Sequence, residues 1–174
     1  MHLFDRLTFG ACVALALLVT ASPARAEVCG APMTTPLIAG QHYTSGSIIL
    51  ANDADHLYVQ YATVEPWLIS EAHAAVASTL AGIPQSRAGN PIPGRFSYSA
   101  TFDPELSTYT FAIPIAGLFA EGSTVFVAAH AVVQAPREAG GSQTAWGYGP
   151  DFPGNNWAMY LQYTLQSCDG GGNS

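Results

Sequence analysis

The clearest structural signal in the chain is the stretch SIILANDADHLYVQYATV, residues Ser47–Val64. Its first part is apolar and ends in the tetrad Asn52–Asp55, whose residue types favour a turn. Its second part alternates, so that Leu57, Val59 and Tyr61 fall on one face. The stretch therefore predicts an antiparallel β-hairpin with one buried face.

Further strand-like runs, bounded by Gly, Pro, Asn and Asp, continue this pattern. Trp67–Ser78 is ambiguous because its alanines also favour a helix, but a strand fits its neighbours better. Arg95–Phe102 and Ser107–Ile115 are expected to pair as a second hairpin. Thr124–Gln134 is the most continuous apolar run and predicts a central strand, and Trp157–Leu165 predicts a closing strand. Six to nine strands at this spacing predict an all-β fold, an antiparallel β-sandwich or jelly roll.

The first 26 residues have the pattern of an export signal. Arg6 is followed by the apolar run Leu7–Thr20 and by the motif Ala-Arg-Ala ending at Ala26. That run is shorter than the ~20 residues of a membrane-spanning helix, so cleavage is expected rather than membrane insertion. We therefore predict a signal peptide (1–26), a single domain (27–168), a flexible tail (169–174) and a secreted or periplasmic location.

Charge and cysteine content agree with this interpretation. The chain has no lysine and a formal net charge of −7 at pH 7, which would repel nucleic acid and anionic membranes. Cys12 lies in the predicted signal, whereas Cys29 and Cys168 lie near the two ends of the predicted domain. In an oxidising compartment these two are expected to form a disulfide, the alternative being two free thiols.

A loop rich in aromatic residues, Thr144–Trp157, is the first candidate site. Aromatic rings stack on the C–H faces of a sugar, while amides and carboxylates bind its hydroxyl groups. The alternative is that these rings plug the end of the fold, with Phe152 anchoring the loop. The candidate ligand-binding residues are Trp146, Tyr148, Asp151, Asn155 and Trp157, with a further hydrogen-bonding fork expected from Arg95 or Arg137.

A second candidate consists of Glu71, His73 and His130, each in an apolar strand-like run. Glu71 and His73 should share a strand face. If His130 lies nearby, the cluster would suit a divalent metal or acid–base chemistry. The default interpretation is a buried hydrogen-bonded pair. No HExxH, GxSxG or phosphate-binding loop is present, so an enzyme is disfavoured and no cofactor is expected beyond a metal at this cluster.

The tetrad Asn52–Asp55 has two interpretations of its own. Its acidic oxygens would suit calcium, but it lacks the glycine and distal glutamate of an EF-hand loop. An ordinary turn, in which the side chains bind the local backbone, is the default.

Two resemblances bear on function. Asn52–Tyr61 is similar to the Asp-x-x-Leu-Tyr-Val hairpin of extracellular carbohydrate-binding β-sandwich modules. A longer series resembles a group of exported bacterial domains, which implies an exported β domain and carries no catalytic residue. Its members are Asn90–Gly94, Thr101–Pro104, Val127–Ala131, Thr144–Gly147 and Asn156–Tyr160.

Together these observations favour an exported, monomeric and non-catalytic β-sandwich. Its expected partner is an extracellular glycan or surface polymer. Two alternatives remain open: a self-assembling structural protein that uses an unpaired sheet edge, and a metal-dependent enzyme at the Glu/His cluster.

Overall fold

A computed structural model describes residues 27–168, so the predicted signal peptide and tail lie outside the described part of the chain. The all-β prediction is confirmed, and within these residues no helix is long and apolar enough to cross a membrane. The strands are β1 (Cys29–Ala39), β2 (Tyr43–Asn52), β3 (His56–Thr63), β4 (Leu68–Ala77), β5 (Tyr98–Leu106), β6 (Thr108–Pro114), β7 (Thr124–Gln134), β8 (Ser142–Gly147) and β9 (Leu161–Thr164).

Eight strands form one antiparallel sheet in the order β5-β4-β7-β8-β1-β2-β3-β6, and β9 adds to β7. The predicted first hairpin is confirmed as β2 and β3, with Leu50 opposite Val59. The predicted central strand is confirmed as β7, which pairs with β4 along one edge. Along its other edge, residues 130–134 pair with β8 and Thr124–Val127 pair with β9. The closing strand is shorter than predicted because residues 157–160 remain in a loop.

The second predicted hairpin is wrong. β5 pairs with β4 and β6 pairs with β3, so these consecutive strands lie at opposite ends of the sheet order. The sheet curls until its two edges face each other, nearly closing into a barrel. Side chains bridge the seam: the ring centroids of Phe102 and Tyr109 are 4.7 Å apart, and those of Tyr98 and Phe111 are 6.1 Å apart. The sandwich or jelly-roll arrangement is not confirmed.

The inner face of the curled sheet holds the main apolar core. Tyr61 is fully buried there, and its hydroxyl donates a hydrogen bond of 2.7 Å to the backbone carbonyl of His73. An irregularity in β4 between Ile69 and Glu71 shifts the alternation, which turns Ile69 inward and leaves Leu68 exposed.

The continuous apolar sequence of β7 follows from the position of this strand in the fold. Its odd-numbered residues, such as Val127, enter the inner core, while Ala128 joins a second apolar cluster on the outer face. A strand covered on both faces carries apolar side chains on both, so the usual alternation is largely lost.

The two ends of the described domain are held together. Cys29 and Cys168 pair as predicted, with Cα atoms 4.7 Å apart. Close by, the buried Asn52 accepts hydrogen bonds from the Tyr163 hydroxyl and the Gln166 backbone N–H, and donates to the carbonyls of Asp53 and Gln166. This single side-chain amide links the end of β2 to the segment after β9.

A candidate ligand cleft and a histidine pair

Two loops, residues 79–97 and 148–160, cover part of the outer face of the sheet. Their apolar side chains pack on β4, β7 and β8 to form what we call the outer cluster. Its buried members are Ala75, Ile83, Phe96, Ala128, Trp146, Phe152, Ala158 and Met159.

The loop of residues 148–160 is a defined structure. The N–H of Phe152 donates to Ala158 O at 2.8 Å, and the N–H of Tyr160 donates to Pro150 O at 3.0 Å. Phe152 is 2% exposed and anchors the loop in the outer cluster, as the alternative interpretation of this residue predicted. These contacts hold the backbone of the loop in place, and with it the side chains that face outward.

This loop forms one wall of a surface cleft of about 260 Å³. The other wall comes from the end of β1 and the turn that follows it. The cleft is lined by Ile38, Gln41, Tyr148, Asp151, Trp157 and Met159.

Three of the five candidate ligand-binding residues meet at this cleft: Tyr148, Asp151 and Trp157. Tyr148 is 58% exposed, so most of its ring is accessible to a ligand. Asn155 is exposed but does not line the cleft. Trp146 is only 5% exposed, so the plugging interpretation describes it correctly.

Trp146 supports the site from inside the outer cluster. Its ring lies 6.3 Å from that of Phe152 and 4.7 Å from that of His130. It is also the cross-strand partner of Ile38, whose side chain lines the cleft. Trp146 therefore positions the cleft and is not accessible for stacking on a ligand.

Sequence reasoning missed Ile38, Gln41 and Met159. Gln41 has a positive φ of 69°, which places it in the left-handed region at the turn between β1 and β2. It reaches the aromatic loop only because β1 pairs with β8, over a sequence separation of about 110 residues. The local sequence contains no sign of that pairing.

The polar groups of the cleft are few. Asp151 is the one charged residue in the lining, and neither Arg95 nor Arg137 takes part, so the expected cationic fork is not brought to this cleft. The lining offers two aromatic rings, one amide and one carboxylate. Such a surface suits an uncharged, polyhydroxylated ligand.

The histidine candidates also meet. His73 and His130 are directly opposite on β4 and β7, with ring centroids 5.5 Å apart. The predicted shared face of Glu71 and His73 is confirmed, with Oε2 and Nε2 3.2 Å apart. Burial, together with the nearby His73, lowers the pKa of His130 to about 3. Among residues 27–168, no three His, Cys, Asp or Glu side chains are grouped so as to hold a metal ion.

Another cavity, of about 300 Å³, lies at the disulfide end of the fold. Two of its polar side chains already have hydrogen-bond partners within the protein. Asn52 makes four hydrogen bonds, and Asp53 accepts the backbone N–H groups of Asp55 and His56. This pattern confirms the turn interpretation of the tetrad. The cavity lacks the pair of aromatic faces found at residues 148 and 157.

Comparison of the chain with protein-family models, with curated proteins and with solved structures finds no match. Fold and site together describe an antiparallel all-β domain with a small aromatic cleft on its outer surface. Inference about function therefore rests on the chemistry of the cleft and of the histidine pair.

Proposed function

We propose that this protein is an exported, non-catalytic binding domain that holds a glycan in the cleft between Tyr148, Asp151 and Trp157. The observation that carries the proposal is that these three residues, chosen for sugar-binding chemistry, line one surface cleft, with Trp157 partly buried against the outer cluster. Tyr148 and Trp157 would stack on sugar rings, while Asp151 and Gln41 would bind hydroxyl groups.

The size of the cleft points to the form of the ligand. At about 260 Å³ it is slightly smaller than the roughly 300–1,000 Å³ of pockets that enclose small molecules. A shallow cleft of this size fits one or two units of a longer polymer. We therefore favour a polysaccharide or surface glycan over a free monosaccharide.

Export is part of the proposal. The signal-like residues 1–26 support it, and so does the Cys29–Cys168 pair, since disulfides persist mainly outside reducing compartments. In that setting the partner is a glycan of the extracellular medium or of a cell surface.

A glycan-array screen followed by calorimetric titration tests the proposal. We expect selective binding that Tyr148→Ala and Trp157→Ala each weaken about tenfold or more. Losing a stacked ring and its apolar contact removes roughly 1.5–3 kcal/mol, and 1.4 kcal/mol corresponds to tenfold. Leu118→Ala is the matched control, because Leu118 is 69% exposed and does not line the cleft.

Two results would contradict the proposal. One is the absence of binding to any glycan on the array by a folded sample. The other is binding that Tyr148→Ala, Trp157→Ala and Leu118→Ala leave equally unchanged.

Self-assembly through a sheet edge is the weaker alternative. Edge strand β5 carries Asp103, Pro104 and Glu105, and edge strand β6 ends in Pro114. Charges and prolines at edges oppose the addition of further strands. Ordered oligomers in light scattering, with no glycan affinity, would reverse this order of preference.

A further inference from the structure

The pairing of His73 with His130 leaves two ring nitrogens without a partner. The Nδ1 atoms of both rings are buried and make no hydrogen bond. Buried polar atoms normally have a partner, because leaving one unpaired costs about 1–3 kcal/mol. Two such atoms on directly opposite residues call for a common explanation.

The spacing of the two rings is compatible with a metal ion shared between them. A metal ion holds imidazole nitrogens at about 2.0–2.1 Å, which places two rings bound to one ion about 5–6 Å apart between centroids. The observed separation of 5.5 Å falls within this range. Cross-strand neighbours on an antiparallel pair are held at a fixed distance by the sheet, so the spacing is built into the fold.

Glu71 completes the arrangement from outside. Its Oε2 lies 3.2 Å from Nε2 of His73, so a proton on Nε2 would be donated to the carboxylate and the lone pair would be on Nδ1. A carboxylate that accepts from the far nitrogen of a histidine is a common outer partner of metal-bound imidazoles. The side chains of Glu71 and His73 are 43% and 15% exposed but Nδ1 of His73 is buried, so an ion reaches the pair only when these two side chains move aside.

We propose that His73 and His130 form a two-histidine binding site for a late first-row divalent ion, Cu²⁺ or Zn²⁺, with Glu71 as a positioning residue. Imidazole nitrogen suits both ions. No third protein ligand is grouped with the pair among residues 27–168, so the proposed site has two protein ligands. This site is separate from the cleft and does not depend on glycan binding.

Titration of the metal-free, tag-free protein with ZnCl₂ and with CuSO₄ in separate calorimetric runs tests the proposal. We expect about one ion per chain, with the tighter-binding ion identifying the metal. His73→Gln and His130→Gln should each weaken binding at least tenfold. His42→Gln is the matched control, because His42 is exposed and remote in sequence from the pair.

The role of Glu71 has its own readout. Glu71→Gln should weaken binding about 10–100-fold, the usual effect of losing an outer partner. Glu71→Asp should recover part of that loss, while the melting temperature of the metal-free protein stays within a few degrees of wild type. With Cu²⁺, electron paramagnetic resonance should show two coordinated histidine nitrogens in wild type and one in His73→Gln.

The proposal is overturned if neither ion binds stoichiometrically, or if His73→Gln binds as tightly as wild type. Should His130→Gln fail to fold, the variants at the more exposed His73 and Glu71 still decide the question.

Discussion

Asp53 shows how a single side chain fixes a turn. Its Oδ1 accepts the backbone N–H groups of Asp55 and His56, and its Oδ2 accepts the Tyr58 hydroxyl. Partial burial by itself raises the pKa of Asp53, but these hydrogen bonds, together with the nearby His56 ring, outweigh it and bring the pKa below the ordinary 3.8. The ionised form is therefore favoured by the folded turn.

The pH dependence of stability follows from this shift. A carboxyl with a lowered folded-state pKa stabilises the fold above its ordinary pKa, and this contribution is lost as the pH falls through the folded value. We expect Asp53→Asn to be less stable than wild type at pH 7, with the difference shrinking below about pH 4. Urea unfolding of both proteins between pH 7 and pH 2.5 measures it.

Asp55→Asn is the control for that series, since its carboxylate is exposed in the same turn. A difference between wild type and Asp53→Asn that stays constant down to pH 2.5 would show that the charge of Asp53 does not stabilise the turn.

At the scale of the element, the loop of residues 148–160 decides whether a cleft exists. Besides its backbone hydrogen bonds, the loop is stabilised by the burial of Phe152 against Trp146 and Tyr160. The cleft residues Tyr148 and Trp157 flank this anchor in sequence. A loop that opens would separate them.

Phe152→Ala tests this dependence. Truncating a buried Phe costs about 3–5 kcal/mol, so we expect a large fall in stability. We also expect faster hydrogen exchange at the N–H groups of Phe152 and Tyr160, and weaker glycan binding although Phe152 does not line the cleft. Exchange that accelerates uniformly over the whole domain, with none specific to the loop, would argue against a local anchor.

At the scale of the whole molecule, the Cys29–Cys168 bond closes nearly the entire described domain. The two residues are 139 positions apart, a loop for which the chain-entropy model gives about 5 kcal/mol. We expect the double variant Cys29→Ser, Cys168→Ser to lose about 2–5 kcal/mol in urea unfolding. Wild type measured in reductant should approach the variant, whereas a loss below about 1 kcal/mol would contradict a stabilising role.

How much of this structure the sequence predicts depends on how far apart in the chain the contacting residues are. The inward face of β6 and the residue after it was predictable, because Phe111, Ile113 and Ile115 recur at every second position, and all three are buried. The partner of β6 was not, since alternation shows which face is apolar and carries no information on which strand lies alongside. The wrong prediction of a hairpin between β5 and β6 came from this missing information on strand neighbours.

For the candidate sites, too, short-range features were predictable and long-range contacts were not. Residue chemistry predicted Tyr148, Asp151 and Trp157, which lie within ten positions of one another, and these do line one cleft. It did not separate them from Trp146, because the burial of that ring depends on the outer cluster, whose members come from several strands and both loops. Gln41 was missed because only the pairing of β1 with β8 brings it near.

Glycan binding at the cleft can be tested directly, because the three tryptophans of this chain serve as separate probes. We would follow their indole N–H signals by NMR during titration with an oligosaccharide, assigning Trp157 with Trp157→Phe. Binding at the cleft requires a saturable shift of the Trp157 signal while that of Trp67, buried in the inner core, stays in place. Saturable binding that leaves the Trp157 signal unmoved, or no response to any glycan tested, would contradict the account.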